Sequence, residues 1–440
     1  MDPVLLARIQ FAVTVGFHYL YPPLTIGLGV LLVVMEGFYL KTGRPLYKRM
    51  TQFWARIFGL IFTIGVATGI VMEFEFGTNW AHYSRFVGDV FGSPLAAEGL
   101  LAFFLESTFL AVVLFGWERV SPKVHFFSTV MVAVGSTLSA VWIVIANSWM
   151  QTPAGYELVG EGKWVRAQIT DFWAMVFNPS AMERLSHVLM GCWMAGAFFV
   201  LSVSAYYLLK KRHVEFSKTC MKMGLIFALV SSLGQLATGH AGAVGVSKYQ
   251  PVKLAAFEGH YPASAPGTLN LFGWVDEGKQ EVRYAVGLPG FLSFLVSGSF
   301  TKAVPGLQAF PRDLWPPVNI VFQSYHLMIM IGMALIGLSF LGVFLWWRGW
   351  LFENVPVLLL FVLSVLGPQI ANQVGWITAE VGRQPWIVYG LLKTSDGISG
   401  AVGAREILVS LGMFTSVYAV LFGLFIYLLI KKIKHGPDEA

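Results

Sequence analysis

The chain has 440 residues, 56% of them hydrophobic and 12% charged, with a formal net charge of +6. A soluble domain carries about 25% charged residues, so the composition excludes an ordinary globular protein and specifies an all-α integral membrane protein. The positive excess is no nucleic-acid signal, since the basic residues sit in short connections beside apolar runs, and two isolated cysteines (Cys192 in a span, Cys220 in a basic connection) form neither a disulfide framework nor a metal motif.

Nine apolar stretches approach the ~20 residues needed to cross a bilayer. In chain order they cover 9–39, 51–76, 94–117, 124–149, 182–209, 218–240, 316–346, 355–376 and 405–430. The N-terminal MDPVLLARIQ lacks a basic leader, and the first apolar run is too long for the core of a cleavable signal. The connections 41–50, 118–123, 210–222 and 347–350, with the tail 431–440, hold half of the 30 Lys and Arg. Basic residues near span ends stay in the cytoplasm, which puts the N-terminus outside and the C-terminus inside. No internal repeat is visible.

The chain therefore divides into helices one to six (1–240), a long extracytoplasmic loop between helices six and seven (241–315), and helices seven to nine (316–440). Within the loop, LFGWV (271–275) and VRYAV (282–286) flank DEGKQE and predict a hairpin. QPVKLAAFEGHY (250–261) predicts a short amphipathic helix lying on the membrane. A loop of this length is usually functional or disordered, and its aromatic content argues against disorder.

Counting ~20 residues at 1.5 Å rise from each cytoplasmic end brings His18, Glu98, His187, Met328 and Glu380 to one depth, near the outer surface. Ionisable groups in hydrocarbon are costly and usually functional, and His, Met and carboxylate are side chains that hold haem iron. An interfacial histidine can simply bond a carbonyl, and methionine is more often core filler. A His–Met pair on two spans at equal depth, however, fits both axial positions of a haem that carries electrons. Glu98 and Glu106 share helix three, about 12 Å apart along the axis. A buried Glu tends to stay protonated, which suits a proton carrier linked through Ser107 and Thr108. Glu73 and Glu75 read as interfacial. Arg383 is placed to pair with Glu380 or with an anionic cofactor group. Lys253 and Glu258 by themselves read as a solvated loop pair.

GFHYLYPPLTIGL, AAEGLLAFFLESTF, ERLSHVLMG, QPVKLAAFEGHY and GWITAEVGRQPW, in this order, resemble subunit I of the cytochrome bd family of quinol oxidases. The resemblance covers essentially the whole chain, with the loop in its short form. It implies a low-spin haem b, a high-spin haem b and haem d, with quinol as substrate and dioxygen as acceptor. His187 and Met328 would ligate the low-spin haem. His18, Glu98 and Glu380 would serve the two high-spin haems, in an order left open. The resemblance also implies that Trp376 and Arg383 line the haems, that Lys253 and Glu258 act in quinol oxidation, and that Glu106 continues the proton path from Glu98. It further implies a prokaryotic cytoplasmic membrane, a multi-span subunit II and a small single-span subunit. His326 stands where the family commonly has Arg, and so becomes a minor ligand candidate itself. Two other readings remain: a haem b quinol dehydrogenase passing electrons to a partner, and a proton-coupled transporter.

Overall fold

The computed structural model describes residues 2–438. Among these, nine helical spans are long and apolar enough to cross a membrane: Pro3–Thr42, Pro45–Thr78, Gly88–Phe115, Pro122–Gln151, Ala181–Leu209, Val214–Tyr249, Val318–Trp347, Val355–Val381 and Ala404–His435. Each matches an expected stretch, and they are numbered one to nine below. Several start at proline, which fits a first turn because its missing N–H has no intrahelical partner there.

Three spans are not continuous α-helices. Span one is two helices, Pro3–His18 and Pro22–Thr42, interrupted just past His18. Pro22 and Pro23 open the second helix and cannot donate back to the first. Span eight is likewise split into Val355–Leu363 and Leu366–Val381. Span three contains a π-helical turn, Glu98–Phe103, a feature found mostly at functional sites.

The spans pack around span five, the most enclosed of the nine, while span nine is the least. Gly27 and Gly196 let spans one and five cross at backbone contact. A Cβ on Gly27 would lie 2.7 Å from the Gly196 nitrogen, so only small residues permit the approach. Beside that crossing, Leu28, Phe53, Trp54, Phe58 and Phe199 form a continuous apolar core. Arg44–Glu215, Lys48–Glu118 and Arg56–Asp438 ion pairs tie the basic connections together at one end of the bundle. This is the basic end, and the opposite one is the loop end.

Two expectations need correcting. Cys220 is not in a connection: span six begins at Val214, and Cys220 is completely buried in its first turns beside Trp54 and Phe216. The basic residues around it mislead because they mark a helix end, where long side chains reach out to water. The helix Pro251–Phe257 exists, but it does not lie on a membrane surface. Lys253, Leu254, Ala255, Ala256 and Phe257 are all buried, packed against Val321 and Phe322 of span seven. Its other residues are apolar, and Lys253 finds a buried partner in Gln151, so the helix packs in a core. Span six also continues to Tyr249, beyond the expected end at 240.

At the loop end, Leu269–Asp276 pairs antiparallel with Glu281–Leu288, which is the expected hairpin. A second small hairpin, Tyr156–Val159 with Arg166–Ile169, closes the connection between spans four and five.

Candidate active site

A cavity of about 1680 Å³ opens among the spans toward the loop end. A single small-molecule site is typically 300–1,000 Å³. His18, Glu98, Glu106, His187, Lys253, Met328, Trp376, Glu380 and Arg383 all line this cavity, so the bundle brings together nine of the ten residues to which the resemblance assigns a haem, quinol or proton role. Glu258 lies just outside it, buried.

The two histidines are held in the same way. His18 Nδ1 lies 2.9 Å from Thr68 Oγ1 on span two, and that hydroxyl is placed to donate to Ile64 O at 3.0 Å. Thr68 therefore accepts from Nδ1–H, which leaves Nε2 bare. His187 Nδ1 lies 3.2 Å from Thr238 Oγ1 on span six, whose hydroxyl donates to Gly234 O at 2.8 Å. A glycine follows each threonine and faces each ring: a Cβ on Gly69 would sit 3.3 Å from His18 Cε1, and one on Gly239 3.2 Å from His187 Cε1. Fixing one imidazole nitrogen to orient the other is how histidine is prepared as a metal ligand. The sequence carries the signal twice, as Ala-Thr-Gly at 67–69 and at 237–239, each on the helix after the histidine's own. Neither triplet by itself reveals which histidine it faces.

The surroundings of the two rings differ. Gln235 donates to His187 Nε2 at 3.0 Å, and its own Oε1 is buried without a partner. A Cβ on Gly191, one turn beyond His187, would meet Asn372 Oδ1 at 2.8 Å, and a Cβ on Gly375, one turn beyond Asn372, would meet Met328 Sδ at 2.8 Å. His187 and Met328 thus approach the cavity from two sides of span eight's inner face.

The carboxylates hang on span four. Ser139 donates to Glu98 Oε1 at 2.6 Å, and Ser136 donates to Glu106. Asn147 and Gln151 donate to Glu380 Oε1 at 3.1 and 3.2 Å. The links expected for the glutamates were Ser107 and Thr108, which the structure does not support. Ser107 bonds back to Phe103 O at 2.8 Å on an exposed face, and Thr108 is exposed. One residue is about 100° of rotation on a helix, so a neighbour of Glu106 faces elsewhere. Glu75, expected at the interface, is buried, and Glu73 lines the cavity.

At the loop end of span four the polar groups form one network. Arg383 Nη2 pairs with Glu380 Oε2 at 2.5 Å, Arg184 donates to Asn147, and Lys253 Nζ donates to Gln151 Oε1 at 2.5 Å. Arg184, Arg383 and Lys253 set three basic groups against one carboxylate, and Arg383 Nη1 and Arg184 Nε are buried with nothing to donate to. Burial, then the Arg184 and Arg383 guanidinium groups, push the Lys253 ammonium well below the usual lysine range. Burial pushes Glu258 up to about 8. Neither residue belongs to a solvated face: Lys253 and Glu258 are 3% and 1% exposed. No ion pair joins them among the described residues; Lys253 turns to span four, while Glu258 lies by Tyr325.

His326 does not face the cavity. Its Nδ1 lies 2.8 Å from Phe322 O within span seven, and its Nε2 lies 2.6 Å from Asn270 O, which ties the span to the loop hairpin. That overturns its candidacy as a ligand.

The family model for cytochrome bd terminal oxidase subunit I matches residues 6–437. The chain belongs to that family. It is 39% identical over its whole length to cytochrome bd ubiquinol oxidase subunit 1 of Bacillus subtilis, covering 95% of that protein. It is 34% identical over 99% of its length to cytochrome bd-II ubiquinol oxidase subunit 1 of Escherichia coli, covering 97% of that one. Its fold superposes on bd oxidase from Geobacillus thermodenitrificans with a TM-score of 0.91 and 30% identity, over 99% of both chains. As a cytochrome bd subunit I it is a multi-pass membrane protein of a respiratory terminal oxidase, a quinol:oxygen oxidoreductase. Haem is the cofactor class that membership implies, and it implies a complex with a subunit II. The residues fit haem on three counts: braced imidazoles facing a large cavity, glycines that clear space beside each ring, and unpaired buried guanidinium groups suited to carboxylate side groups.

Proposed function

We propose that this chain binds a low-spin haem b between His187 and Met328, and a high-spin haem b and a haem d through His18, Glu98 and Glu380, and that it oxidises quinol at the loop end. The observation that carries this reading is the pair of His–Thr–Gly cradles opening into one cavity beside an excess of buried basic groups. Bound there, haem iron would supply one-electron transfer and dioxygen reduction. Arg383 and Arg184, each with an unpaired donor, would hold haem carboxylates, and Trp376 would pack along the macrocycles.

Quinol oxidation gives up two protons and two electrons. Lys253, held toward its neutral amine, is suited to take a hydroxyl proton from quinol in the cavity it lines. Glu258, held as a neutral acid, is suited to donate a hydrogen bond to it. Four protons and four electrons convert dioxygen to two waters. With the cofactors near the loop end, protons from the basic end must cross most of the bilayer. Glu106 and then Glu98, each bonded to a span-four serine, would pass them on. If the basic end is cytoplasmic, as the charge distribution indicates, proton movement alone generates a membrane potential without pumping. Subunit II, and a small single-span subunit, would cover apolar faces such as that of span nine.

The test is the purified complex, supplied with quinol in sealed vesicles. Oxygen consumption, a chlorin absorption band beside b-type bands, and acidification on the loop side are expected. A b-type spectrum with no oxygen uptake would make the chain a dehydrogenase subunit, and a colourless protein would remove the reading altogether.

A further inference from the structure

We propose that Glu36 and His125, with Trp117 as a lid, form a proton-loading site at the basic end of span four, from which protons enter the relay to Glu106. The inference rests on the oxidase reading above and adds an entry point that the reading lacks.

Both side chains are 1% exposed, with His125 Nδ1 2.6 Å from Glu36 Oε1. Thr129 Oγ1 donates to Glu36 Oε2 at 2.5 Å. His125 Nε2 is buried and has no partner. The Trp117 ring lies over the imidazole, with centroids 3.8 Å apart. On its outer side Lys48 Nζ stands 5.6 Å from the Trp117 centroid and pairs at 3.0 Å with Glu118, whose side chain is 84% exposed. The exposed Glu118–Lys48 pair, the Trp117 ring, the imidazole and the Glu36 carboxylate follow one another in contact.

A buried ion pair is a poor way to fasten helices, since well-packed apolar residues usually do as well or better. Fastening also leaves the empty Nε2 without a purpose. As a proton site the arrangement accounts for every atom. A carboxylate beside a neutral imidazole takes one proton at Nε2 and becomes a carboxylate–imidazolium pair; the Nδ1 proton then leaves inward through Glu36, and a flip of the ring restores the starting pair.

The pair also stands in line. Span four carries His125, Thr129, Ser136, Ser139, Asn147 and Gln151, and other helices bring a carboxylate to each level: Glu36, Glu106, Glu98 and Glu380. Between His125 and Ser139, the level of Glu98, the long interval is Thr129 to Ser136, about 10 Å of rise, beside buried Val132 and Ala133. Water must carry the proton across that interval.

The experiment uses the whole oxidase complex in vesicles, reduced and then exposed to dioxygen, with a pH dye and a voltage probe reporting proton uptake in a single turnover. The double variant Glu36→Met with His125→Leu keeps the packing apolar. It is expected to take up protons about 10²-fold more slowly, the scale of a lost acid–base group, with an unchanged haem spectrum and dioxygen-binding rate. Uptake at the normal rate would overturn the proposal. In Trp117→Ala, diethyl pyrocarbonate is expected to reach His125 Nε2 and block uptake. A modified His125 with uptake intact would overturn the proposal as well, and this arm decides the matter if the double variant loses its haem. A failed oxidase reading shows separately, as absent oxygen consumption in the unaltered complex.

Discussion

His18 and His187 sit in cradles built alike and end in different company. Each has its Nδ1 fixed by a threonine and its ring faced by the next glycine. Across from His187 the cavity offers Met328, which stands over Gly375, while Gln235 occupies Nε2 and must give way to any metal bound there. Around His18 the described structure supplies a brace and a cradle but no second donor at Nε2. A site with both axial positions filled by protein exchanges electrons, and one with a position to spare admits a ligand. On the proposed assignment the same local device, placed twice, would yield a closed site and an open one because of what the neighbouring helices bring opposite.

The largest effects that would break this contrast come from the ligands. His187→Ala and Met328→Leu are each expected to abolish the low-spin haem signal and leave the high-spin absorption, read in a reduced-minus-oxidised spectrum. Retention of the low-spin signal in either variant would reject the pairing. Nearly as large is the expected effect of filling a cradle. Gly69→Val should remove haem from the His18 site alone, and Gly239→Val from the His187 site alone, because a Cβ already falls 3.3 or 3.2 Å from the ring. Reduced spectra taken with and without carbon monoxide check this, and loss of the same component in both variants would erase the distinction.

A smaller effect sharpens it. Thr68→Val and Thr238→Val keep the shape and remove the brace, and loss of such an orienting partner typically costs 10–100-fold in metal affinity or activity. Haem transfer to an apoprotein acceptor measures the change. Each variant should loosen its own site only.

The smallest concerns the loop pair. Glu258 in the fold keeps its proton up to about 8, against an ordinary value of 4.5. Its contribution to stability is therefore complete below about 4.5 and is lost as pH rises through about 8. Lys253 acts in the opposite sense, because its lowered pKa costs stability as pH falls below the ordinary lysine value of 10.5. Glu258→Gln should flatten the fall in thermal unfolding midpoint between pH 4.5 and 8. An unchanged slope would mean that Glu258 is ionised in the fold.

Much of the architecture was legible because the bilayer imposes length and apolarity on each span separately, so all nine could be read one at a time. Residue depth was legible for the same reason, and it led to His18, Glu98, His187, Met328 and Glu380 as a group. Partners were not. Ser136 and Ser139 bond the glutamates of span three because span four lies against it, and no count along span three reveals that. The π-helical turn at Glu98–Phe103 changes the rotation between the two glutamates, which an α-helical count cannot anticipate. The helix Pro251–Phe257 was recognisable as a helix, but its burial depends on span seven. The Ala-Thr-Gly triplets were in plain view, yet they gain meaning only when each is known to face a histidine on the preceding span.

The most direct test of the open and closed sites is carbon monoxide added to the dithionite-reduced complex, in the unaltered protein and in His187→Ala. The account predicts that the unaltered complex shows one b-type component untouched by carbon monoxide beside components that shift, and that His187→Ala loses the untouched component alone. If His187→Ala instead loses carbon monoxide binding and keeps the untouched component, the two cradles have been assigned the wrong way round and the account fails.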